Sequence, residues 1–255
     1  MDFSLFDLTG RTALVTGSSR GIGEVMARGL AGHGAAVVIH GTDRAAAEAV
    51  AERLIADGHR AHVAVFDVTD AQAVAEAIAA IERDVAPIDI LINNAGIQHR
   101  APLEDFSADR WQALFDVNVT GTFHVSQAVA RGMIARGAGK IINIGSVQSE
   151  LARPTIAPYT ATKGAIRNLT RGMAADWARH GLQINAIAPG YFRTRLNAAL
   201  VADKDFTAWL EKRTPACRWG EAEELIGAAV FLASPASSFV NGQTLYVDGG
   251  LTASV

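Results

Sequence analysis

Two groups of side chains in this chain stand out for the reactions they could support. The first is Thr16-Gly17-Ser18-Ser19-Arg20-Gly21-Ile22-Gly23, which follows a short apolar run and opens a helical pattern. Glycines at such a strand-to-helix turn let backbone come close to a bound group, and the helix N-terminus attracts anionic phosphate. The spacing Gly-x3-Gly-x-Gly differs from the usual Gly-x-Gly-x-x-Gly fingerprint, and a tight turn would use glycine too, but three together favour a dinucleotide. The second group is Tyr159 and Lys163, four residues apart and so about one turn apart on one helical face. A free phenol, with a pKa of about 10, is mostly protonated near neutrality. A neighbouring ammonium favours the phenolate and makes a proton-exchanging pair. Taken alone, that spacing is more often a surface pair.

Short β-branched runs recur at 12–15, 36–39, 62–66, 88–92, 140–144 and 183–187, with a seventh at 244–247. They are nearly continuous in apolar content, as strands buried on both faces are. Between them lie Ala-rich stretches with helical spacing. One runs from Ala45 to Asp57 and ends near Gly58; another opens at Asp70 as N-cap and runs towards Pro87. Strand followed by helix, repeated, predicts an α/β fold: one doubly wound Rossmann-type domain over residues 1–255, with a seven-stranded, mostly parallel sheet.

Composition agrees. The chain has 255 residues, 49% hydrophobic and 19% charged, which suits a soluble globular protein with a large core. A net charge of −3 excludes a broadly basic nucleic-acid coat. Cys217 is the only cysteine, so an internal disulfide and a Cys-rich metal cluster are both excluded. No apolar run reaches the roughly 18 residues of a membrane helix. The acidic start, Met1-Asp2-Phe3, does not suit a signal peptide, so a cytoplasmic protein without membrane or metal is expected.

The glycine-rich turn, Asn93-Asn94-Ala95-Gly96, Tyr159-Thr160-Ala161-Thr162-Lys163 and Pro189-Gly190, in this order, resemble the short-chain dehydrogenase/reductase family. The resemblance runs from Leu8 to about Gly250. It implies catalysis by Asn118, Ser146, Tyr159 and Lys163: Tyr159 as acid/base, Lys163 lowering its pKa, Ser146 holding the reacting oxygen, and Asn118 anchoring a water in a proton relay. It also implies cofactor contacts from Gly17, Ser19, Arg20, Gly21, Ile22, Gly23, Thr42, Asp67, Val68, Asn94, Ala95, Gly96, Tyr159, Lys163, Pro189, Gly190 and Thr194. Asp67 reads equally as a helix cap, and Asn94 as a tie between strands. Residues 194–213 would form a lid over the substrate.

The end of the second strand decides the nicotinamide. An acid there bonds the ribose of NAD and repels a 2′-phosphate, whereas a cation favours NADP. Gly41 stands where NAD-preferring relatives carry Asp, and Arg20 is placed to meet a phosphate. Thr42 stands where many NADP-dependent relatives have Arg, and Asp43 is read as the cap of the next helix. NADP(H) is favoured, with NAD(H) left open.

Residues 5–11, 93–100, 146–151, 188–192 and 239–250 resemble the gluconate 5-dehydrogenase branch of the family, which implies a small polyol or keto-acid substrate. Gln98, Arg100, Ser146, Gln148, Glu150, Arg153 and Tyr159 are the candidate substrate contacts, with Arg100 or Arg153 meeting a carboxylate. A 3-oxoacyl-carrier-protein reductase, for which Arg131, Arg167 and Arg171 would offer a basic surface, remains an alternative. So do another sugar dehydrogenase and a noncatalytic nucleotide sensor. By the same resemblance the chain assembles as a homotetramer, through long helices and the C-terminal strand region.

Overall fold

The structure, a computed structural model, describes residues 4–194 and 197–254. Seven strands form one sheet in the order β3-β2-β1-β4-β5-β6-β9, and every neighbouring pair is parallel. They are β1 (Thr12–Val15), β2 (Ala36–Gly41), β3 (Ala61–Val65), β4 (Ile90–Asn93), β5 (Gly139–Ile144), β6 (Leu182–Pro189) and β9 (Thr244–Val247). The sheet expected as mostly parallel is parallel throughout, because each connection between its strands is a crossover that carries a helix. β1, β2 and β4 are buried along their whole length, which explains their unbroken apolar runs.

Helices α1 (Gly21–Gly32) and α2 (Arg44–Ala56) cover one face, and α3 (Ala71–Asp84) and α5 (Gly121–Arg136) the other. Local chemistry sets their starts. Asp43 accepts the Ala46 N–H at 3.2 Å, and Asp70 accepts those of Gln72 and Ala73 at 3.0 Å each. α4 (Ala108–Phe115) leads into α5 through a single π-helical turn, Asp116–Thr120, where the sequence pattern predicts ordinary helix.

The chain winds from β1 to β3 in one direction and from β4 to β9 in the other. The reversal leaves a crevice between the ends of β1 and β4, the place where such sheets take ligands. α6 (Ala157–Trp177) packs beside β6 and brings its first turn to that crevice. After β6 come β7 (Phe192–Arg193), α7 (Ala198–Ala202), α8 (Lys204–Arg213) and β8 (Gly220–Glu221), then α9 (Ile226–Ala233). The segment expected as a lid therefore holds α7 and α8; its residues 195 and 196 lie outside the described residues. No helix among the described residues is long and apolar enough to cross a membrane.

Candidate active site

The glycine-rich turn leaves β1 and enters α1. Gly17 has φ +63°, and a Cβ there would stand 2.9 Å from the Ala95 Cα, so neither its backbone conformation nor its space admits a side chain. Its N–H is already donated to His40 Nδ1 at 2.9 Å, so Gly17 shapes the turn rather than offering an amide to a ligand. Gly21, also at φ +63°, has open space over it, and the N-cap residue Arg20 makes no side-chain cap. The first-turn amides of α1 thus lack a capping side chain and suit an anion. Asn94 acts as the tie between strands: its Nδ2 donates to the Thr16 and Gly17 carbonyls at 3.0 Å each. The Ala95 N–H donates to the Thr16 hydroxyl oxygen, and Gly96 lies against Asn118.

At the end of β2, a Cβ on Gly41 would sit 2.8 Å from Ser19 Oγ, so an aspartate there would have to displace Ser19. Arg20 and Thr42 are exposed at this rim. Asp67 caps no helix, since Asp70 takes that place for α3; its Oδ1 closes the turn before it, accepting the Thr69 N–H at 2.9 Å and the Thr69 hydroxyl at 2.8 Å. Val68 is buried against Gly121.

A cavity of about 150 Å³ opens beyond the crevice. Ser146, Tyr159 and Lys163 line it, together with Pro189, Gly190 and Thr194. Lys163 Nζ is buried and donates to the Ile144 carbonyl at 2.7 Å, lying 5.6 Å from the centre of the Tyr159 ring. The sequence reading expects Lys163 to lower the Tyr159 pKa. Instead, burial pushes the phenol up to about 12, opposed by a hydrogen bond from Ser146 and assisted by the nearby Tyr191. Burial likewise pulls Lys163 down to about 8. Burial disfavours the charged form of each group.

Asn118 sits inside the π-turn with its amide fully engaged. Oδ1 accepts the Ile97 N–H at 2.8 Å, and Nδ2 donates to the Ile97 carbonyl at 3.0 Å and to Thr162 Oγ1 at 3.1 Å. The side chain therefore cannot hold a further partner well. The main-chain carbonyl, which accepts the Thr122 hydroxyl at 3.0 Å, keeps a second lone pair.

Of the candidate substrate contacts, Gln98, Arg100, Gln148 and Arg153 all line the cavity. Glu150 does not. It pairs with Arg167 at 2.8 Å, because its position beyond the short turn Val147–Ser149 turns it towards α6. That pairing also removes Arg167 from the free basic surface a carrier protein would need. Neither Arg100 nor Arg153 makes an ion pair among the described residues. Arg100 is pulled below its ordinary value by burial and then by the charge of Arg153. Arg153 Nε and Gln148 Oε1 are buried without a partner. The loops carrying the two arginines are joined by the Ala101 N–H to the Thr155 carbonyl at 3.1 Å.

Two residues given no role by sequence reasoning belong here. Tyr191 lines the cavity, bonds Arg153, and packs edge-on against Phe206 and Trp219 at 5.4 and 5.9 Å. His40 holds the glycine turn from beneath; its signal was a lone imidazole in an otherwise apolar strand.

A family model described as enoyl-(acyl carrier protein) reductase matches residues 17–252. A gluconate 5-dehydrogenase from Gluconobacter oxydans (strain 621H) is 64% identical over 98% of both chains. A 5-keto-D-gluconate 5-reductase from Escherichia coli (strain K12) is 53% identical over 98% of this chain and 99% of its own. The crystal structure of a gluconate 5-dehydrogenase from Burkholderia cenocepacia J2315, in complex with NADP and tartrate, superposes with a TM-score of 0.97 at 63% identity, covering 99% of both chains. With this fold, this site and these relatives, the chain belongs to the short-chain dehydrogenase/reductase family.

Proposed function

We propose that the protein interconverts D-gluconate and 5-keto-D-gluconate with NADP(H), as one domain whose lid spans residues 194–213 and which assembles as a homotetramer. The observation that carries the substrate class is the pair of guanidiniums, Arg100 and Arg153, that line the Ser146–Tyr159–Lys163 cavity and make no ion pair among the described residues. Two uncompensated cations beside a reacting centre suit a substrate with a carboxylate. Gln98 and Gln148 add polar partners for hydroxyl groups, which a thioester of a fatty chain does not require. The relatives named for gluconate and 5-keto-D-gluconate support the same substrate.

NADP is supported at the other end of the site. The uncapped start of α1 and the open space above Gly21 fit a pyrophosphate, and Arg20, Ser19 and Thr42 can meet a 2′-phosphate. The contact between Gly41 and Ser19 works against the aspartate that NAD would prefer. A bound nicotinamide supplies the hydride acceptor or donor, and proton handling falls to the chain's own side chains. Ser146 holds the substrate oxygen. Tyr159 takes the hydroxyl proton in oxidation and returns it in reduction. Its place in the first turn of α6 adds the positive end of a helix dipole to favour the phenolate as it forms. Lys163 passes the proton onward, and the Asn118 carbonyl holds the water that connects it to solvent.

A steady-state matrix tests this reading: NADP and NAD against gluconate, other polyols, their ketones and an acetoacetyl thioester. NADP with gluconate, and NADPH with 5-keto-D-gluconate, should give the highest kcat/KM. A thioester preferred over the keto acid, or cofactor binding without turnover on any substrate, would overturn it. Arg100→Ala and Arg153→Ala should each raise KM for gluconate about 10- to 100-fold, the loss of about 1.5–3 kcal/mol for a charged hydrogen bond. Unchanged kinetics in both variants would remove the carboxylate assignment.

A further inference from the structure

His40 is the polar side chain of β2, a strand buried at every position. No catalytic or binding role proposed above uses it. Its ring is engaged on both nitrogens: the Gly17 N–H donates to Nδ1 at 2.9 Å, and Nε2 lies 3.0 Å from the Phe66 carbonyl. An amide N–H can only donate and a carbonyl can only accept, so the network assigns the tautomer with the proton on Nε2. Burial pulls the imidazole down to about 4, opposed by the Phe66 carbonyl and then by Asp67, so the ring is neutral, as the acceptor role of Nδ1 requires. The ring also packs against Phe66, tilted by 46° with 4.0 Å between centroids.

The backbone of the same residue holds the next position of the turn. The His40 N–H donates to Ser18 Oγ at 2.9 Å, the Ser18 N–H donates to the His40 carbonyl at 2.9 Å, and Ser18 Oγ donates to the Val15 carbonyl at 2.6 Å. Gly17 is thus pressed between Ala95 on one side and the imidazole on the other. Phe66, at the far end of the ring, is followed directly by Asp67 and Val68.

We propose that His40 is the positioning residue of the dinucleotide cradle, locking Gly17 in its left-handed conformation and tying the turn to the Phe66–Val68 segment before any ligand arrives. This rests on the cofactor reading above. A cradle held in its binding geometry spares the ligand the cost of ordering it, so the role is read in cofactor affinity and not in the chemical step.

The test is NADPH binding to cofactor-free protein by titration calorimetry, beside steady-state kinetics. His40→Phe keeps a ring on Phe66 but removes both hydrogen bonds. It should raise Kd for NADPH, and KM for NADP, about tenfold or more, while kcat at saturating cofactor stays within about twofold. His40→Asn restores an acceptor for the Gly17 N–H and should recover most of that affinity. A folded His40→Phe with wild-type Kd overturns the inference. So does a Kd defect that His40→Asn leaves uncorrected, which would mark the ring as packing alone. Should His40→Phe fail to fold, His40→Leu compared with His40→Asn asks the same question, and equal Kd values overturn it. Wild-type protein that does not bind NADPH overturns the cofactor reading itself, an outcome separate from a change in the variants.

Discussion

Tyr159 and Lys163 meet in a pocket that favours the neutral form of each. Burial holds the phenol near 12 and the ammonium near 8. At neutral pH the resting pair is therefore a phenol beside a mostly charged lysine, loaded for reduction. Oxidation needs somewhere for the substrate proton to go, and neutral Lys163 becomes that acceptor as pH rises through about 8. The sign follows. kcat/KM for gluconate oxidation should climb as pH rises from 6, reach half its plateau near 8 and level off above it, while kcat/KM for 5-keto-D-gluconate reduction should hold and then fall through the same midpoint. Profiles flat from pH 6 to 10 in both directions would refute the coupling. Lys163→Ala should abolish that inflection and cost at least about 100-fold in kcat. The pair's existence was legible from its four-residue spacing. The direction of its shifts was not, because spacing carries no information about how deeply the two groups are buried. Glu150 illustrates the same gap: proximity to Ser146 in the chain said nothing about Arg167, which comes from another element and claims it.

Elements were most legible where local chemistry decides them. The caps Asp43 and Asp70 act through amides two or three residues away, so their helices begin within a residue of where the pattern puts them. The π-turn at Asp116–Thr120 escaped because its cause is tertiary: Asn118 bonds both the N–H and carbonyl of Ile97, and this pull opens the helix. The proposed lid segment shows both kinds of control at once. Asp203 caps α8 by accepting the Asp205 and Phe206 N–H groups at 3.0 Å each. Phe206 in that first turn lies under the Arg153 guanidinium at 5.7 Å and packs on Tyr191. A frayed start to α8 would therefore loosen the proposed carboxylate subsite from a distance. Asp203→Ala should cost the helix about 1 kcal/mol. It should raise KM for gluconate several-fold, with KM for NADP and Tm nearly unchanged. Equal effects on both KM values would instead place the defect in general folding.

Across the whole molecule, one reversal of winding gathers residues from the ends of β1, β2, β4, β5 and β6 and from α6 into a single crevice, although they are spread from Gly17 to Gly190 in the chain. The helical layers leave large apolar side chains outside: Trp111 on α4 and Phe123 on α5 are 43% and 42% exposed, and Phe239 is fully exposed just before β9. Isolated exposure of this kind is ordinary on a protein surface, so it gains meaning only through the proposed assembly. Burying a side chain of that size in an interface is worth about 1.5–3 kcal/mol, enough for two charges to prevent association. The long helices and the β9 region would supply two different interfaces, as a four-subunit assembly built from paired contacts requires. Sedimentation velocity should find the wild type at the mass of four chains. Trp111→Glu with Phe123→Glu should break one interface, and Phe239→Glu with Leu245→Glu the other, each leaving dimers with Tyr159 and Lys163 undisturbed. A wild-type monomer, or four-chain mass retained in both double variants, would contradict this arrangement.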